Sequence, residues 1–136
     1  MIDILNLINE AKKAYNKAYA PYSKFKVGCA LLLENGIYVH GCNIENASYG
    51  LSNCAERSAL FSLISQGYNC KDIKAMAIIG QTDEPISPCG ACRQVMQELL
   101  PDNCKIYLAN LDGKYIEFSV NDLLPYSFKQ GDLKWI

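Results

Sequence analysis

Two neighbouring stretches decide the fold: Ile73-Lys74-Ala75-Met76-Ala77-Ile78-Ile79, and Pro88-Cys89-Gly90-Ala91-Cys92 shortly after it. The first is a short apolar run, the length of a buried strand rather than a helix. The second opens a helix over 90–100 that must stop before Pro101. A strand leading into a helix, with two cysteines at the helix entry, is the unit from which the rest of the chain can be read.

Working outward, the same alternation recurs. Residues 3–19 place Ile4, Leu7, Ile8, Ala11, Tyr15, Ala18 and Tyr19 at helical spacing, and Pro21 ends that helix. Residues 26–33 and 37–41 read as strands joined at Glu34-Asn35-Gly36, a hairpin signal. Residues 54–66 read as a second helix, capped by Asn53 and stopped at Gly67. Beyond Pro101, residues 104–109 and 114–119 read as strands joined by a turn at Asp112-Gly113. The order is helix, strand, strand, helix, strand, helix, strand, strand. This predicts an α/β domain with a largely parallel central sheet covered on both faces, and antiparallel hairpins as its first and last strand pairs. Ligands of such sheets gather beyond the carboxyl ends of the strands, where Cys54 and Cys89–Cys92 both lie.

Whole-chain properties narrow the function. At 136 residues, half of them hydrophobic, the chain is expected to form one domain, 1–136, with a real core. The net charge is −1 and the basic residues are dispersed, so no nucleic-acid groove is expected. No apolar run approaches the ~20 residues of a membrane span. The N-terminal stretch carries Asp3 and Glu10 and does not read as an export signal, which points to the cytoplasm. Seven cysteines, an odd number, argue against a disulfide framework there.

The chemistry concentrates in those cysteines. Cys89 and Cys92 have the spacing of zinc ligands, which redox thiols and buried bystander cysteines share. Cys54-Ala55-Glu56 opens another helix. Alone, Glu56 three residues after Asn53 reads as a capping box, and Cys54 as a small buried apolar residue. Together the pieces supply three thiolates at two helix N-termini, whose positive ends favour the ionised form. Three protein ligands leave one tetrahedral position open, the mark of a catalytic zinc. A carboxylate two residues from a ligand can shuttle protons for a water held there. Arg57 and Arg93 each could donate to a thiolate from behind. Cys29, Cys42, Cys70, Cys104 and His40 remain as possible fourth ligands that would close the site.

Four stretches resemble one family. They are Tyr19–Gly28 (YAPYSKFKVG), Gly41–Tyr49 (GCNIENASY), Ser87–Gln94 (SPCGACRQ) and Leu123–Phe128 (LLPYSF), beside Cys54-Ala55-Glu56. The chain is similar over nearly its whole length to the small homotetrameric zinc-dependent cytidine deaminases, within the zinc deaminase class whose motif pairs these cysteines with a non-ligand Glu. Ala20, Cys29 and Cys42 depart from that pattern and carry no assigned role.

The resemblance implies a three-layer αβα fold with a five-stranded mixed sheet and helices on both faces. It implies one Zn²⁺ per chain on Cys54, Cys89 and Cys92, with Glu56 as the catalytic proton carrier and Arg57 and Gln94 behind the site. Asn43 and Glu45 would take the ribose 3′-hydroxyl, and Phe25 would stack on the pyrimidine. Glu56, with backbone groups near Ala55 and Ser87, would read the base edge. Phe128 and Tyr49 would reach a neighbouring subunit's pocket in a homotetramer. The implied reaction is hydrolytic deamination of cytidine and deoxycytidine, with release of ammonia, in pyrimidine salvage. Deamination of a related nucleoside such as blasticidin S, and a non-catalytic zinc-stabilised binding module, are the rival readings.

Overall fold

The computed structural model describes residues 1–133; residues 134–136 of the expected domain lie outside the described residues. The elements run α1 (Ile4–Tyr15), β1 (Val27–Leu33), β2 (Tyr38–Cys42), α2 (Ala55–Ser65), β3 (Ile73–Gly80), α3 (Gly90–Leu99), β4 (Lys105–Asn110), β5 (Tyr115–Phe118) and α4 (Val120–Leu123). The five strands form one sheet in the order β2-β1-β3-β4-β5.

The sheet is mixed, as the family resemblance implied, and not largely parallel as element order alone suggested. The two hairpins β1–β2 and β4–β5 are antiparallel as expected. Among neighbouring strands only β3 and β4 pair in parallel, and β1 pairs antiparallel with β3. The reason is a strand insertion. The crossovers through α2 and α3 do connect strands of one direction, β2 to β3 and β3 to β4. The hairpin then places β1 between β2 and β3, so two parallel neighbours are separated by an opposed strand.

Side chains alternate across the sheet at the period of a pleated strand. One set, including Leu31, Met76, Ile78, Ile106 and Leu108, packs with Ala59, Leu60 and Leu63 of α2 and Met96 of α3. The other set, Ala30, Leu32, Ala75, Ala77, Ile79, Tyr107 and Ala109, packs with Leu7 and Ala11 of α1. The result is three layers. Because the α1 side of the sheet is mostly alanine, α1 lies close against it. A Cβ at Gly28 would fall 2.2 Å from the Ala11 carbonyl oxygen. On the opposite face a Cβ at Gly41 would fall 2.3 Å from the Ala59 nitrogen and 2.5 Å from the Ala55 oxygen. Gly41 therefore sets how near the first turn of α2 comes to β2.

Two helix boundaries differ from the sequence reading. The helix expected over 3–19 ends at Tyr15, capped by Asp3 at its start and Asn16 at its end. Tyr19 instead donates its N–H to the Asn43 carbonyl (2.9 Å) and accepts from the Glu45 N–H (2.9 Å). This tertiary pairing takes residues that carry helical periodicity out of the helix before Pro21 can act. At α2 the N-cap is Cys54, not Asn53, whose side chain donates to Ser58 Oγ at 3.2 Å. Glu56 is thus one position too early for a capping box. Gly67 does follow the helix, in the left-handed region at φ +91°.

Candidate metal centre and substrate cleft

Cys54 and Cys89 are the N-cap residues of α2 and α3, in extended backbone, and neither side chain caps its own helix. Cys92 sits three residues into α3, fully buried. The three sulfurs lie within 4.8 Å of one another, with Cys54 Sγ and Cys89 Sγ 3.9 Å apart. Two helix N-termini, one after β2 and one after β3, thus converge as the spacing suggested. Among the described residues this is the one His, Cys, Asp and Glu group of three or more so placed, and it contains no fourth ligand. His40 lies elsewhere, its Nε2 2.9 Å from Glu10 Oε1 on α1. Cys29 and Cys104 are core residues whose thiols burial pushes up, Cys104 to about 12.

The donor set fits a soft dication. Hydrogen bonds from Cys92 and Arg57 pull the Cys54 thiol down to about 5, although burial opposes them. Its partner Cys92 keeps its proton longer, through its hydrogen bond to Cys54 and through burial. Arg57 Nη2 donates to Cys54 Sγ at 3.3 Å, and its buried Nε has no hydrogen-bond partner. A guanidinium with a buried, unpartnered N–H beside thiols balances negative sulfur. Thiolates select zinc over hard cations.

Glu56 is the second residue of α2 and is 4 % exposed. Burial pushes its carboxyl above the usual carboxylate range, while its own backbone N–H pulls the other way. It lines a cleft of about 280 Å³ together with Ser23, Phe25, Val27, Asn43, Glu45, Tyr49, Cys54, Ala55, Ile78, Ile86, Ser87 and Cys89. The structure therefore brings Phe25, Asn43, Glu45, Tyr49, Ala55, Glu56 and Ser87 to one cavity with two of the cysteines, Cys92 lying buried in the same sulfur group.

Asn43 and Glu45 lie just past the end of β2 and already hold the segment that carries Phe25. Asn43 Oδ1 accepts from the Val27 N–H (2.8 Å), and its Nδ2 donates to the Phe25 carbonyl (2.8 Å). Glu45 accepts from the backbone N–H groups of Tyr22 (3.1 Å) and Ser23 (3.0 Å) and from Ser23 Oγ. These bonds, Ser23 first, hold its carboxyl below the usual range. Ser23, Val27, Ile78 and Ile86 also line the cleft without having been singled out. Ser23 and Val27 both lay inside a quoted motif, but for the three apolar residues nothing in the sequence separates cleft wall from core.

Tyr49 lines the cleft of its own chain, and Phe128 lies outside that cleft, 57 % exposed. Gln94, expected behind the metal ligands, donates instead to the Phe128 carbonyl at 2.9 Å. Arg93 bonds no thiol; its partners are Pro88, Ser87 and Leu123.

Comparison with known proteins agrees with this geometry. Residues 1–108 match the model of the cytidine and deoxycytidylate deaminase zinc-binding region. The chain belongs to that family. A cytidine deaminase of Halalkalibacterium halodurans is 53 % identical over 127 residues, covering 93 % of this chain and 95 % of the relative. The crystal structure of a cytidine deaminase from Burkholderia pseudomallei superposes with a TM-score of 0.90 at 53 % identity, over 94 % of this chain and all of that one. A blasticidin-S deaminase of Bacillus cereus is more distant, 27 % identical over 130 residues and 91 % of each chain. Family membership assigns zinc to the three-cysteine group, and the described residues contain no helix long and apolar enough to cross a membrane.

Proposed function

We propose that this chain hydrolyses the exocyclic amine of cytidine and deoxycytidine, giving uridine and deoxyuridine with release of ammonia. The observation that carries this reading is a buried carboxylate, Glu56, two residues from one member of a three-thiol group that has no fourth protein ligand among the described residues. Zinc held by Cys54, Cys89 and Cys92 would supply the Lewis acidity that makes water a nucleophile near neutral pH.

The chain's own residues do the rest. Glu56 takes one proton from the attacking water and delivers it to the ring nitrogen; it then takes the second from the newly added hydroxyl, which becomes the carbonyl, and gives it to the amine as the carbon–nitrogen bond breaks. Its buried setting keeps those protons from bulk solvent. Phe25, 42 % exposed at the cleft, offers a face for the pyrimidine. Asn43 and Glu45 face the sugar's 3′-hydroxyl while bracing the Phe25 segment. Binding through the 3′-hydroxyl leaves the 2′ position unread, so both sugars are substrates. The backbone near Ala55 and Ser87 contacts the base edge.

The same reading covers assembly and place. We assign a homotetramer, to which the exposed Phe61, Ile64, Tyr126 and Phe128 contribute apolar surface. Seven free cysteines suit the reducing cytoplasm, and the role is pyrimidine salvage.

The test is zinc per chain together with loss of cytidine absorbance in one preparation, alongside cytosine and blasticidin S. One zinc per chain with turnover of cytidine supports the proposal. A Glu56→Ala protein that kept its zinc and full turnover would overturn the role of Glu56. Zinc with no turnover of any of the three would favour a binding module instead.

A further inference from the structure

The segment between β3 and α3 brings Ser87 to the cleft and Cys89 to the metal group. Its backbone is tied at Ile86, whose N–H donates to the Ala109 carbonyl at 3.2 Å. Ser87 and Pro88 lie beyond that tie and outside every strand and helix. Among the described residues, the hydrogen bonds that reach these two come from Arg93. Its Nε donates to the Pro88 carbonyl (2.8 Å) and its Nη2 to Ser87 Oγ (2.5 Å). Its Nη1 donates to the carbonyl of Leu123, the last residue of α4, at 2.7 Å. The adjacent Gln94 fastens the same C-terminal stretch at Phe128. None of residues 119–128 lines the cleft of this chain. Among the described residues, the hydrogen bonds that join this stretch to Ser87 and Pro88 run through Arg93.

We infer that Arg93 is a positioning residue, which takes its bearing from the C-terminal segment and fixes Ser87 at the edge of the cleft. The physical reason is the guanidinium itself. It holds several N–H donors in one rigid plane, so three acceptors on two segments are set relative to each other at once. A lysine ammonium at the end of a flexible stem satisfies one or two of them and fixes no angle. The inference rests on the reading of the cleft as a nucleoside site, because its consequence is a change in substrate binding. Glu56 and the thiols lie outside this network, so the expected effect falls on KM rather than on kcat.

The experiment compares wild type, Arg93→Lys, Ser87→Ala and the double variant. Steady-state kinetics on cytidine, zinc per chain, and hydrogen exchange of the 81–88 and 119–128 peptides are read for each. Arg93→Lys is expected to raise KM about tenfold with kcat within about twofold and zinc unchanged. The double variant is expected to be no worse than the poorer single one, since both break the same link. Exchange should quicken in both peptides together. A wild-type KM for Arg93→Lys, additive effects in the double variant, or faster exchange confined to α3 would each overturn the inference. Should wild type fail to turn over cytidine, the proposed function falls, and the exchange measurement still decides the role of Arg93. Should Arg93→Lys not fold, faster exchange over 119–128 in Ser87→Ala supports the link, and unchanged exchange there overturns it.

Discussion

Arg57 Nη2 lies 3.3 Å from Cys54 Sγ, three residues along the first turn of α2, with its Nε buried and unpartnered. The helix geometry makes the pair: residues at i and i+3 share a face, so the N-cap thiol and the guanidinium meet without any help from another element. Three thiolates and one Zn²⁺ sum to −1, and Arg57 returns the group toward neutrality. Replacing Arg57 by Gln keeps much of the stem and removes the charge. The variant is expected to lose zinc affinity by about 10- to 100-fold, as other changes behind metal ligands do. Competition with a chelator of known affinity, followed by metal analysis, measures this.

Removing the metal exposes an ordering among the thiols. Cys54 is held at about 5 by Cys92 and Arg57, whereas burial raises Cys29, Cys42, Cys70 and Cys104 above the ordinary thiol value. A thiol with a lowered value is a thiolate at pH 6, and the thiolate is the reactive form. Iodoacetamide at pH 6 is therefore expected to label Cys54 first in chelator-treated protein and to leave the zinc-loaded protein unlabelled there. Peptide mass spectrometry reads the site. First labelling at Cys42 or Cys70 would contradict the ordering.

Glu45 links pH to stability. Its carboxyl is held below the usual range by Ser23 and by the N–H groups of Tyr22 and Ser23, so the folded protein binds that proton less readily than the unfolded chain. The stabilisation is present above the unfolded value near 4.5 and is lost as pH falls through the folded one. The Tm of wild type should exceed that of Glu45→Gln at pH 7. The gap should close progressively below pH 4.5. A gap that stayed constant down to pH 3 would remove Glu45 from this role.

At Gly41 the backbones of β2 and α2 come close together. A methyl group there would overlap the backbone of Ala55 and Ala59, and backbone does not yield as a side chain tip does. Gly41→Ala is expected to cost about 1–3 kcal/mol of stability or more, seen in urea unfolding. Because Ala55 and Glu56 sit on the displaced turn, kcat should fall as well. Gly50→Ala has nothing within 4 Å of its Cβ and should change stability by less than about 0.5 kcal/mol.

Much of this protein is local, and local order is legible in a sequence. Strands of alternating or wholly apolar character, the turns at Gly36 and Gly113, and the entry to α3 are each decided by residues next to one another. The metal group was legible for the same reason. A Cys-x-x-Cys at one helix start and a Cys-x-Glu at another carry their chemistry in their spacing.

What the sequence did not contain were the relationships between segments far apart in the chain. The end of α1 was set by Tyr19 pairing with Asn43 and Glu45, a contact across more than 20 positions that outweighs helical periodicity. The mixed sheet followed from β1 entering between β2 and β3, which element order alone does not reveal. Ile78 and Ile86 became cleft walls, and Arg93 turned from the thiols to Ser87, Pro88 and Leu123. By itself the sequence determined which residue types carry the chemistry and at which helix ends they stand. The tertiary structure alone decided which of them face the same space, because hydrogen bonds and burial are settled by packing between segments and not by spacing along one.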